Sequence, residues 1–310
     1  MNDRGSVPRP ILAIAPVVVL AIVAGLLYFT SPFGDFEGMA EASTADVMWM
    51  MTIIGLLAGV MPVMIGMLWF PFIKSLDSLW VHAMLALSAG ILAFIGIEMV
   101  EEMVESGEAM AEAGASTQEL SIAGIAGVVT VVGTFYLMKI FSQWRLNAAL
   151  GETNVGLKVG YMIAIGLGLH SVGEGLAIGT SFATGAYSAV TILIIGFVLH
   201  NITEGLSIVA ALARDAARPP LYHFAAVGLL AGGPLVFGSW LGVFAFSPLI
   251  AIVFLGIGVG AIVEVIWEVT ELVRFDAETV VGWTTGVPFV GGIVLMFLLE
   301  EVLVEGILLG

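Results

Sequence analysis

The chain runs to 310 residues, 60% of them hydrophobic and 11% charged, with no cysteine and nine Lys+Arg against 25 Asp+Glu, a net charge of −16. A mean hydropathy of +1.10 excludes an ordinary soluble domain and indicates a polytopic membrane protein. The acid excess excludes nucleic acid as a partner, because that partner needs a basic surface, and the missing thiols exclude disulfides and cysteine-ligated metals.

Nine apolar stretches predict membrane-crossing helices, at about 11–30, 47–72, 80–104, 122–142, 157–182, 187–212, 221–245, 248–273 and 284–306. Each suffices to cross a hydrocarbon core of ~30 Å at about 1.5 Å per residue. The expected fold class is an all-α polytopic membrane protein embedded in the lipid bilayer, here a prokaryotic plasma membrane. The first stretch follows Arg4 and Arg9, and its length and lack of a small-residue cleavage site mark a retained helix rather than a signal peptide. With the N-terminus inside, all basic residues (Arg4, Arg9, Lys74, Lys139, Arg145, Lys158, Arg214, Arg218 and Arg274) fall on the cytoplasmic side. The opposite loops carry Asp35, Glu37, Glu41, Asp46, Glu105, Glu108, Glu112 and Glu119 and no Lys or Arg. That is the positive-inside pattern, and it puts the C-terminus, after Glu300, Glu301 and Glu305, outside.

Along the chain, the first residues with chemistry to offer are Glu98, Glu101, Glu102 and Glu105 at the outer end of the third helix. Their three- and four-residue spacing gathers them on one broad face, where they would funnel cations inward. The fifth and sixth helices carry LHSVGEGLAIG (169–179) and LHNITEGLSIV (199–209). His170 and Glu174 share one helix face, as do His200 and Glu204. A short connection makes the two helices antiparallel neighbours, so these side chains converge near the bilayer midplane. Intramembrane Glu is tolerated when paired or bound to a cation, and imidazole with carboxylate suits Zn²⁺, Fe²⁺ and Mn²⁺. Asn201 and Ser171 stand beside the two histidines as further oxygen ligands, and Gly173, Gly175 and Gly205 permit close helix approach or a local opening of the helix. On the eighth helix Glu264, Glu268 and Glu271 line one face and read as a polar exit path for metal, with protons as a second cargo. His82 and His223 read as interfacial, and Trp49, Trp80, Trp240 and Trp283 mark helix ends as an aromatic belt.

The paired H-x-x-x-E-G motifs resemble those of the ZIP (Zrt/Irt-like) metal transporters, and His200-Asn201-Ile202-Thr203-Glu204-Gly205 is most similar to the GufA-type branch. Leu57-Ala58-Gly59-Val60-Met61-Pro62, Leu87-Ser88-Ala89-Gly90 with Glu98, Glu101 and Glu102, and Gly260-Ala261 with Glu264 and Glu268 resemble its first, second and seventh core helices. The resemblance implies an eight-helix core over 47–310, with 1–46 adding one N-terminal helix and an acidic external loop. It implies a metal centre built from His170, Glu174, His200, Asn201 and Glu204, and divalent metal moving toward the cytoplasm as substrate. Zinc is the first expectation, with cadmium, iron and manganese also carried; no organic cofactor is expected. It also implies a homodimer. The chain departs from the family where Gly173 and Thr203 replace the motif proline, where Ser171 replaces an asparagine, and where Gly233 precedes Pro234. The changes at Ser171 and Gly233 weaken or remove oxygen ligands of a second metal position, so one well-formed site is expected.

Two other functions use the same residues. An intramembrane metalloenzyme, such as a zinc hydrolase with a metal-activated water, needs the same ligands, but no extra acid/base is evident, so the expectation is a transporter and not an enzyme. A structural or sensory bundle would use the His–Glu pairs to fix helix packing.

Overall fold

The computed structural model describes residues 8–30, 42–146, 154–215, 217–276 and 282–299. Their regular structure is all helical. In chain order the helices are α1 (Arg9–Thr30), α2 (Thr44–Ile73), α3 (Ser78–Glu112), α4 (Thr117–Phe141), α5 (Val155–Ala183), α6 (Tyr187–Arg214), α7 (Leu221–Ala245), α8 (Pro248–Asp276) and α9 (Trp283–Phe297). Among the described residues seven helices, α2 to α8, are long and apolar enough to cross a membrane. The other two expected crossings are shorter apolar helices: α9 has 15 residues, and α1 has side chains described to Val23. The expected end of the ninth crossing and the acids Asp35, Glu37, Glu41, Glu300, Glu301 and Glu305 lie outside the described residues.

One boundary differs from expectation. Glu105, Glu108 and Glu112 are not in a loop, because α3 continues for 35 residues, about 50 Å. Glycines with left-handed backbone then close the tight turns. Gly114 (φ 85°) ends α3 and Gly185 (φ 76°) ends α5, and in each the next residue's N–H reaches back five positions, Ala115 to Met110 and Ala186 to Ser181. A capping box starts α4: Ser116 Oγ accepts from Glu119 N at 3.3 Å while Glu119 Oε2 accepts from Ser116 N at 2.7 Å.

α5 is the most buried of the long helices and the centre of the bundle. α6 and α7 pack against it, with α2 laid against both of them; α3 and α4 pack against α8, with α9 laid against α3; α5 against α8 and α3 against α6 join the two groups. Backbone contact sets the spacing at α2 and α6: a side chain at Gly205 would strike the Val63 carbonyl, and one at Gly66 the Ile202 carbonyl. α4 leaves Ile125, Val128, Val129 and Leu137 exposed, as a helix facing lipid requires.

The charges divide the bundle into two ends. At one end, Arg9 donates to Ser75 O, Lys74 Nζ donates to Ala213 O and Asp215 O, Arg214 lies 3.7 Å from Asp215, and Arg274 lies 3.6 Å from Glu271. This is the basic end. Asp215 also accepts from the N–H groups of Gly156 and Leu157, both at 2.8 Å, capping α5 from the end of α6.

Two of the long helices are irregular. A π turn, Leu56–Val60, interrupts α2 just before Pro62, and α7 is broken at Gly233–Pro234. The two breaks meet, since a side chain at Gly232 would strike the backbone of Gly59.

Candidate metal centre

Because α5 and α6 run unbroken through both motifs, the i and i+4 residues of each fall on the facing sides of the pair. The glycines therefore serve close approach and not a local opening: a side chain at Gly175 would strike the Leu235 carbonyl. The openings fall instead in α2 and α7, the neighbours of the pair.

His170, Glu174, His200 and Glu204 come together. Ligand atoms of the first three lie within 4.8 Å of one another. Glu204 Oε1 lies 3.6 Å from His200 Nε2 and 4.0 Å from His170 Nε2, and Glu174 Oε1 lies 4.0 Å from His170 Nε2. The two imidazoles stack with centroids 5.4 Å apart and 23° between planes. Each of these residues is buried, His170 the least at 7% exposed and Glu204 fully. Tetrahedral ligands ~2.1 Å from a zinc ion sit about 3.4 Å from one another, and the spacings of 3.6 and 4.0 Å need only a small contraction to reach that. Neither ring nitrogen of His170 has a hydrogen-bond partner among the described residues, which is the state of a donor reserved for a cation.

Asn201 joins this group. Its Nδ2 donates to Ala58 O at 2.9 Å and to Glu174 Oε2 at 3.2 Å, while its buried Oδ1 has no partner among the described residues. The Ala58 carbonyl accepts because Pro62, four residues on, has no N–H to give it. Ser171 is directed elsewhere: its hydroxyl donates to Leu167 O and, across to α7, to Ala231 O, both at 3.0 Å. Thr203, at the motif proline position, returns its hydroxyl to His200 O at 2.7 Å.

A cavity lies toward each end of the bundle. One, of about 340 Å³, is lined by Glu102, Glu105, Gly173, Leu176, Phe246 and Leu255, and so reaches the residue next to Glu174. Of the expected funnel, Glu98 is half-buried and Glu101 and Glu102 are exposed. The other cavity, of about 430 Å³, opens at the basic end and is lined by Val155, Val159, Arg214, Glu268, Glu271 and Arg274.

The acids of α8 differ among themselves. Glu264 is fully buried, and Glu268 accepts from Ser142 Oγ at 2.6 Å and lies 3.9 Å from Lys158 Nζ. Glu271 is exposed beside Arg274. His223 bonds Tyr161 Oη through Nδ1 at 2.9 Å, apart from the cluster. The parts that motif reading missed are Ala58, Lys158, Ser142 and Asp215. Pro62 was the available signal for Ala58; the others meet their partners across long stretches of sequence.

No family model matches the chain, and no curated protein matches it. The described residues hold a buried His/Glu cluster, with the composition of a metal site, inside an all-helical bundle of membrane type.

Proposed function

We propose that the chain is a divalent metal transporter of ZIP-like type, with His170, Glu174, His200, Asn201 and Glu204 as the transient metal ligands. The observation that carries this reading is the convergence of two His-x-x-x-Glu pairs at the buried middle of adjacent apolar helices, with a cavity toward each end. A cation entering past Glu102 and Glu105 would exchange water for these ligands near Gly173. It would leave at the basic end, which the positive-inside reading places in the cytoplasm. Zinc heads the expected substrates, because two imidazoles and two carboxylates suit its size and tetrahedral preference.

The contribution of the chain is a dry, shaped site with exchangeable ligands. Asn201 holds Glu174 by one hydrogen bond and is itself held by the α2 carbonyl, so the ligand set is oriented before metal arrives. The test is Zn²⁺ influx into liposomes containing the purified protein and a zinc-sensitive dye, with Glu204→Ala alongside. The expected result is influx in the wild type and none in a variant that still inserts and purifies. Tight binding without influx would instead give the centre to a resident metal and favour the hydrolase reading.

A further inference from the structure

The carboxyl of Glu264 has no place in the metal centre. It is fully buried on α8, and neither of its oxygens has a hydrogen-bond partner among the described residues. Three charged groups lie within electrostatic range of it: Glu268 one turn along its own helix, Lys158 on α5 and Lys139 on α4. On α3, Gly96 lies against Ile262, two residues before Glu264.

The two lysines are already engaged. Lys158 lies 3.9 Å from Glu268, and Lys139 lies over the rings of Trp267 and Phe135, at 5.1 and 5.8 Å. Glu268 takes a hydrogen bond from Ser142 as well. Glu268 thus has a close counter-ion and a donor, whereas Glu264 has no hydrogen-bond donor among the described residues. A second metal position is a poor fit here, because two carboxylates would have to hold a divalent cation against two nearby ammonium groups. A single proton needs none of that: it neutralises Glu264 and supplies the donor that Glu268 can accept.

We propose that Glu264 and Glu268 form a proton-binding site, separate from the metal centre, in which Glu264 carries the proton and Glu268 connects it to the basic-end cavity. Glu268 lines that cavity and stands one helical turn from Glu264, so it bridges water and the buried acid. On release, the proton passes from the Glu264 carboxyl to the Glu268 carboxylate and on to cavity water. The remaining Glu264 carboxylate is left facing Lys158, whose charge then balances it. The site stands without the metal reading; that its proton moves together with metal rests on that reading.

Infrared difference spectroscopy of the purified wild type and Glu264→Gln tests the site directly. The wild type is expected to show the carbonyl-stretch band of a protonated carboxyl at neutral pH, and Glu264→Gln, a neutral mimic of the same shape, is expected to lose it. In Glu268→Gln the band should shift, because its acceptor has changed, but remain. A spectrum unchanged by Glu264→Gln overturns the proposal. A pH-sensitive dye in the zinc-influx liposomes adds the coupling test. Proton movement accompanying metal should vanish in Glu264→Gln, and proton movement retained in that variant overturns the coupling. Absence of zinc influx in the wild type would count against the transport reading, leaving the infrared result to decide the proton site.

Discussion

The side-chain amide of Asn201 donates to the main-chain carbonyl of Ala58 at 2.9 Å. That bond joins a residue of the metal centre to the π turn of α2, and it exists because Pro62 leaves the Ala58 carbonyl without its helical donor. Replacing Asn201 by Ala therefore removes two hydrogen bonds at once. The expected loss is about 10–100-fold in metal affinity, with stability falling by about 1–2 kcal/mol. Calorimetric titration and thermal unfolding in detergent measure the two effects separately.

Pro62→Ala separates the same two effects in the opposite sense. The new N–H competes with Asn201 for the Ala58 carbonyl and favours a regular α-helix. Thermal stability should hold or rise, while zinc affinity falls. A variant that loses both to the same degree would show that the π turn serves packing and not the site.

Asp215 caps α5 from the end of α6 through two N–H bonds of 2.8 Å. Asp215→Ala is expected to lower stability by about 1 kcal/mol, with zinc affinity unchanged, since the cap lies at the basic end. Thermal unfolding with and without zinc reads both.

Lys74, beyond the end of α2, donates to the last carbonyls of α6. Burial draws its ammonium below the ordinary 10.5, with the charge of Asp215 opposing this and that of Arg218 adding to it. Between the lowered value and 10.5 the unfolded chain holds the proton more than the folded one does. Stability contributed by this group therefore rises with pH through that alkaline window. A melting-temperature series over the window should show that slope in the wild type and its loss in Lys74→Met.

Much of this was legible in the sequence. The 3.6-residue geometry makes His170 and Glu174 neighbours, and His200 and Glu204 likewise, so the cluster follows once α5 and α6 are antiparallel partners. The basic residues at one end were readable from charge alone. What could not be read was pairing at a distance. Nothing near Glu268 in the chain names Ser142 or Lys158, and nothing near Ser171 names the Ala231 carbonyl that takes its hydroxyl. The acids at 264, 268 and 271 look equivalent as a periodic row. Packing separates them into a buried, a paired and an exposed carboxyl. The reach of α3 through Glu112 was missed because a charged stretch reads as loop even where the helix continues into water.

Zinc titration into the purified wild type and into the His170→Ala/His200→Ala double variant, followed by calorimetry in two buffers of different ionisation enthalpy, tests the metal centre most directly. Saturable binding is expected in the wild type, weakening on acidification with measurable proton release as the ligands shed their protons, and no such binding in the double variant. Equal binding in both proteins would place the metal elsewhere and contradict the assignment of the two His-x-x-x-Glu pairs.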